Sequence, residues 1–218
     1  MTDASGNISD AQPEPLRRPA SKIKICGITQ LDDALLAEQL GANFIGLIFH
    51  KDSPRCVTPQ TALQIAKALG RARPIGVFVS QTPAEVAAIA AQVGLYGVQV
   101  YARICLELPK HLIKIQALRV RDAQDLAMIE HNSGADFYLL DRYHHQHYGG
   151  TGAAFDWRIL PEERGNLFIA GGINPGNVRA ACALKPYAID VASGVEAIPG
   201  KKDPDKLTAL FKEIQSCN

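Results

Sequence analysis

The chain has 218 residues, a formal net charge of +1 and 47% hydrophobic residues. That length suits one domain with a substantial core, and the near-neutral charge gives no electrostatic case for a nucleic-acid or anionic-membrane partner. No window approaches the roughly 18 consecutive apolar residues of a membrane span, and five scattered cysteines without paired spacing suit reduced thiols in a cytoplasm.

Residues 1–21 (MTDASGNISDAQPEPLRRPAS) lack an apolar stretch and carry Asp3, Asp10 and Glu14. They read as a disordered tail, not a secretory or transit segment. From residue 22 onward, apolar and β-branched runs alternate with amphipathic ones. The predicted strands are 22–26 (KIKIC), 43–49, 74–79, 95–100, 112–119, 136–141, 166–170 and 187–192. The predicted helices are 31–40, 59–69, 83–92, 122–131, 174–184 and 204–215. Thr58-Pro59, Thr82-Pro83 and Asn174-Pro175 each place a proline near a first helical turn. Eight strands separated by helices indicate parallel βα units, either in an open doubly wound sheet or in a closed barrel. No G-x-G-x-x-G follows the first strand, and there are no long insertions. Residues 22–218 therefore read as a single α/β domain, a (β/α)8 TIM barrel. Only residues 101–111 separate the fourth strand from the next, near the minimum for a crossover, so helix 4 is expected to be shortened or missing.

In such a barrel, chemistry gathers where strands end. Cys26 ends the first strand and Asp141 the sixth; GGTG (149–152), AGGINPGN (170–177) and ASGVE (192–196) follow strands six, seven and eight. Glycine turns ahead of helix N-termini after the last two strands suit a phosphate. By position alone Cys26 reads more readily as a small buried hydrophobe than as a catalytic group. His144, His145 and His147 share one loop, but no cysteine or carboxylate at ligand spacing accompanies them, so no metal is expected.

KICGIT (24–29), SPR (53–55), GVFV (76–79), GGTG with FDW (149–157), AGGINPGNV (170–178) and DVASGVE (190–196) occur in an order that resembles phosphoribosylanthranilate isomerases of tryptophan biosynthesis. The resemblance spans residues 22 to 216. It implies a barrel without metal or cofactor that isomerises N-(5-phosphoribosyl)anthranilate to 1-(2-carboxyphenylamino)-1-deoxyribulose 5-phosphate. It further implies Cys26 as general base, Asp141 as general acid and Arg55 as partner of the anthranilate carboxylate. Gly149, Gly150, Gly171, Gly172, Asn174, Ser193 and Gly194 are expected around the substrate, most of them at its phosphate. Asp190 is expected nearby, as a second carboxylate that could keep Asp141 protonated.

The chain departs from the family pattern in two places. Tyr101 and Ala102 stand where VQLHG has histidine and glycine, and Ala153 and Ala154 replace a common polar pair after GGTG. Tyr101 is expected to be an imperfect substitute, so restoring His-Gly is expected to raise kcat/KM. Two other readings stay open: a different phosphosugar barrel isomerase, or a non-catalytic barrel that binds a phosphorylated ligand. The expected partners are a small phosphorylated substrate and at most a second copy of the chain, with no nucleic acid and no membrane.

Overall fold

Alternation within short β-branched runs builds eight parallel strands: β1 Lys22–Cys26, β2 Phe44–Ile48, β3 Arg73–Phe78, β4 Gly97–Val100, β5 Ile113–Val120, β6 Phe137–Arg142, β7 Leu167–Ile169 and β8 Ala188–Val191. In the computed structural model, which describes residues 21–122, 124–129, 133–142, 160 and 165–217, they close into a barrel in chain order. β1 completes the ring by pairing Lys24 with Phe44 on one side and with Asp190 on the other.

Helices α1 (Leu31–Leu40), α2 (Pro59–Ala68), α3 (Pro83–Val93), α4 (Val178–Ala183) and α5 (Pro204–Gln215) surround it. The expected start signals work at α2 and α3. The Thr58 side chain accepts the Thr61 N–H, and Thr82 and Glu85 form a reciprocal capping box, each with proline in the first turn. Asn174-Pro175 works differently. The Asn174 N–H goes to Asn177 Oδ1, 2.8 Å away, so those residues form a turn and the helix begins only at Val178. After β4 there is a single 3-10 turn, Cys105–Glu107, as the short connection requires. The helix expected over 122–131 is absent from the described part of that segment, which holds a 3-10 turn at Asp125–Met128. There Asp125 turns its carboxylate back onto the Arg121 N–H (2.8 Å) and guanidinium (3.0 and 3.1 Å), closing a tight turn in place of an extended helix. An antiparallel hairpin, β9 (Glu196–Ile198) and β10 (Lys201–Lys202), follows β8, beyond the eight strands expected from the sequence.

The apolar faces form two layers. One joins strands to helices, through residues such as Ile23, Ile25, Ile65, Val86 and Leu210. The other fills the barrel, with Phe44, Ile75, Ile115, Leu139 and Phe168. Burial of each such side chain stabilises by about 1.5–3 kcal/mol. Phe44 and Phe168 (ring centres 5.7 Å apart), with Phe137 and Tyr187 (4.2 Å), lie at the starts of their strands and plug that end of the barrel. The polar interior is therefore concentrated at the other end, where the strands finish.

Candidate active site

A cleft at the C-terminal ends of the strands encloses about 730 Å³ of space, part of it open to solvent. Cys26, Arg55, Gln99, Tyr101, Asp141, Gly171, Gly172, Asp190 and Ser193 all line it. Period-two alternation puts Cys26 and Lys24 on the inner face of β1 and Ile23 and Ile25 on the outer. Lys24 is fully buried, and its ammonium donates to Asp190 Oδ1 at 2.9 Å and Gln99 Oε1 at 3.0 Å. A Cβ placed on Gly46 would lie 2.7 Å from Cys26 Sγ and 3.1 Å from Lys24 Nζ, so thiol and ammonium meet above one glycine.

Burial pushes the Cys26 thiol above its ordinary range and Asp190 adds to this, while Lys24 and Lys202 oppose it. Burial works against charge on Lys24 as well, but Asp190 and Cys26 outweigh it and hold the ammonium protonated. The resting site therefore pairs a mostly protonated thiol with a permanent neighbouring cation. Asp190 lines the cleft, but paired to Lys24 and not as the bare second carboxylate expected.

Arg55 crosses over Gly27, whose φ of 75° and lack of a Cβ make room for the arginine stem; a Cβ there would lie 2.6 Å from Arg55 Cδ. The guanidinium is already engaged. Its Nε lies 2.9 Å from Glu196 Oε1 and its Nη2 2.7 Å from Glu196 Oε2, a side-on pair that aims the arginine. Burial tends to raise the Glu196 carboxyl, yet bonds from Arg55 and Lys202 hold it below the ordinary carboxylate range. Two of the five guanidinium N–H groups are thus committed.

The β7 and β8 turns come together beside Ser193. Gly171 (φ 92°) and Gly172 (φ 70°) adopt left-handed backbone. A Cβ on Gly194 would fall 1.9 Å from the Ile173 carbonyl oxygen, so only glycine lets the two turns press together. Asn174 and Gly194 do not line the cleft. The Asn174 N–H is used on Asn177, and both asparagine side-chain amides donate to the Gly172 carbonyl at 3.0 Å. This corrects the expectation of a backbone donor at Asn174: its bonds are internal to the turn, which they brace. Gly149, Gly150, His144, His145, His147 and Trp157 lie outside the described residues.

Tyr101 points into the mouth of the barrel. The Arg119 guanidinium lies 5.4 Å from its ring centre, and Arg119 is directly across the β5–β6 register from Asp141. Burial drives the Tyr101 hydroxyl well above its usual range, reinforced by the neighbouring acidic groups of Asp141, Cys26 and Asp190. Among the described residues, no group of three or more His, Cys, Asp or Glu side chains is placed to hold a metal, and no helix is long and apolar enough to cross a membrane.

A sequence model described as N-(5'phosphoribosyl)anthranilate (PRA) isomerase matches residues 23–213. The chain belongs to this family. The N-(5'-phosphoribosyl)anthranilate isomerase of Rubrobacter xylanophilus is 42% identical over 205 residues, covering 90% of this chain and 100% of that one. The crystal structure of phosphoribosyl anthranilate isomerase from Thermotoga maritima matches with a TM-score of 0.82 at 35% identity, over 90% of this chain and 99% of that one. A further phosphoribosyl anthranilate isomerase was solved in complex with reduced 1-(o-carboxyphenylamino)-1-deoxyribulose 5-phosphate; it matches with a TM-score of 0.79 at 33% identity, over 90% of this chain and 99% of that one.

Within this PRA isomerase scaffold, sequence reasoning passed over Lys24, Gln99, Arg119, Glu196 and Lys202. Lys24 had a usable signal, since it lies two residues before Cys26 and so shares its face. Pro199-Gly200 between Ile198 and Lys201 was a turn signal for the hairpin that carries Glu196 and Lys202.

Proposed function

We propose that this chain catalyses the Amadori rearrangement of N-(5-phosphoribosyl)anthranilate to 1-(2-carboxyphenylamino)-1-deoxyribulose 5-phosphate, a step of tryptophan biosynthesis. The carrying observation is that Cys26 and Asp141 face one cleft whose wall is formed by the paired glycine turns after β7 and β8. Asp141 protonates the ring oxygen of the aminofuranose, which opens to an imine. The imine acidifies the C2 hydrogen, and the Cys26 thiolate removes it to give an enolamine that tautomerises to the ketone.

The thiolate is the minor form at rest, and Lys24 is the neighbouring cation that favours it. Arg55 receives the anthranilate carboxylate through donors that Glu196 does not use. The Gly171, Gly172 and Ser193 segment receives the phosphate, braced by Asn174 and Gly194, and Gly149 and Gly150 contribute after β6. The reaction consists of proton transfers and the opening of the ring C–O bond, and the reading includes no metal and no cofactor. Residues 22–218 act as one catalytic domain in the cytoplasm, as a monomer or homodimer. Complementation of a tryptophan auxotroph lacking this isomerase, together with turnover of the substrate by the purified chain, tests the assignment. Well-folded protein with neither activity would overturn it.

A further inference from the structure

Lys202 is a lysine with 1% of its surface exposed, at the end of the β9–β10 hairpin, and it does not line the cleft. An ammonium has three N–H donors, and here they reach three separate segments. Nζ lies 2.7 Å from the Cys26 carbonyl oxygen at the end of β1 and 3.0 Å from the Ala192 carbonyl oxygen, one residue before Ser193. It also lies 2.9 Å from Glu196 Oε1, and Glu196 in turn holds the Arg55 fork. The lysine backbone is itself anchored, its N–H donating to Asp33 Oδ2 of α1 at 2.8 Å. The hairpin register sets Lys202 opposite Glu196.

We propose that Lys202 is a positioning residue for the isomerisation, its buried ammonium fixing the base-bearing end of β1, the phosphate turn after β8 and, through Glu196, the Arg55 guanidinium relative to one another. The physical case rests on what an ammonium can do that an apolar side chain cannot. A buried ion pair is weak as a source of stability, and apolar replacements of similar volume are often neutral. An apolar side chain could hold the hairpin down. It could not bind two backbone carbonyls and a carboxylate from three places in the chain at once. Those three places meet the sugar, the phosphate and the carboxylate of a single substrate, where a misplacement of about 1 Å can lower the rate by about 10²-fold. The proposal rests on the assignment of Cys26, Arg55 and the β8 turn given above.

The test is steady-state kinetics per folded molecule, with thermal unfolding and inhibition by inorganic phosphate, on Lys202→Met, Glu196→Gln and Arg55→Ala. Lys202→Met is expected to lower kcat at least about 10-fold, to raise KM and to weaken phosphate inhibition, because all three arms are released. Glu196→Gln removes the charge shared by Arg55 and Lys202 but keeps the two carbonyl contacts of Lys202 available, so it is expected to raise KM at least about 5-fold while changing phosphate inhibition much less than Lys202→Met does. Lys202→Met combined with Glu196→Gln should raise KM no further than Lys202→Met alone, since both act on Arg55 by one route. Folded Lys202→Met whose kcat, KM and phosphate inhibition all stay within about twofold of wild type, with only its melting temperature lowered, would reduce Lys202 to a structural part and overturn the proposal. If Lys202→Met does not fold, Glu196→Gln decides: a raised KM supports the linkage and an unchanged KM overturns it. Arg55→Ala separates the two levels of the argument. An unchanged KM there would mean that the carboxylate assignment itself is wrong; Lys202→Met would then have to lower kcat and weaken phosphate inhibition for the positioning role to stand.

Discussion

Lys24 Nζ lies 2.9 Å from Asp190 Oδ1 inside the barrel, fully out of water and on the same strand face as Cys26. The pair puts a permanent cation beside a thiol that must lose its proton. Removing the cation should push Cys26 further up, because burial and Asp190 then act on it unopposed from that side. Activity that needs the thiolate rises as pH climbs toward the thiol pKa. Lys24→Met should therefore lower kcat/KM at neutral pH and displace its rising limb to higher pH. Leaving Asp190 uncompensated costs roughly 3–5 kcal/mol, so Lys24→Met with Asp190→Asn serves as the folded control. A pH profile of kcat/KM that keeps the wild-type position in a folded variant would remove Lys24 from the activation of Cys26.

The assignment of the acid and the base predicts two losses of similar kind. Cys26→Ala and Asp141→Asn should each lower kcat by at least about 10²-fold, the lower end of what a positioned acid or base contributes. Both residues are small contributors to the core, so circular dichroism and melting temperature should change little. Near wild-type turnover by either folded variant would sink its assignment.

Gly46 offers a steric test that leaves every charge in place. Its φ is not in the left-handed region, so the backbone accepts alanine, but the added Cβ would fall 2.7 Å from Cys26 Sγ and 2.9 Å from Cys26 Cα. Something must move, and the backbone atom makes the shift expensive. Gly46→Ala should destabilise by about 1–3 kcal/mol, as overpacked cores do, and lower kcat by about 10-fold or more through the displaced thiol. Denaturant unfolding and steady-state kinetics read the two effects separately. Wild-type kcat would show that the thiol position is not critical.

For the fourth strand the structure reverses the sequence-based expectation. Replacing Tyr101-Ala102 by the family's His-Gly was expected to raise kcat/KM. Tyr101, however, carries the Arg119 guanidinium over its ring at 5.4 Å, and the Gln116 side-chain amide binds the Val100 and Tyr101 carbonyls at 3.1 and 3.3 Å. Among the described residues Lys185 alone of the non-glycines has positive φ, so Ala102 has no strain for glycine to relieve. Tyr101→His with Ala102→Gly should weaken a cation–π contact worth about 0.5–2 kcal/mol and loosen the turn. Both kcat/KM and melting temperature should fall. A rise in kcat/KM would show that histidine serves the substrate better even in this setting.

The strand pattern, the missing fourth helix, the thiol and carboxyl at strand ends and the glycine turns after β7 and β8 were legible in the sequence because each is local. Period two, connection length and glycine spacing are properties of a few consecutive residues. The helix after β5 was misjudged because Asp125 closes a turn on Arg121 within the amphipathic stretch, a competition that periodicity does not reveal. The electrostatics of the site were not local. Lys24 meets Asp190 across 166 positions, Arg55 meets Glu196 across 141, and Lys202 meets Cys26 across 176. Alternation in KIKIC separates two faces but does not say which one looks inward. On an open half-buried sheet the isoleucines would face the core and the lysines the solvent. Closure of the barrel turns the isoleucine face toward the helices and encloses the face of Lys24 and Cys26, where burial is tolerable only because β8 and β4 bring Asp190 and Gln99 to the ammonium.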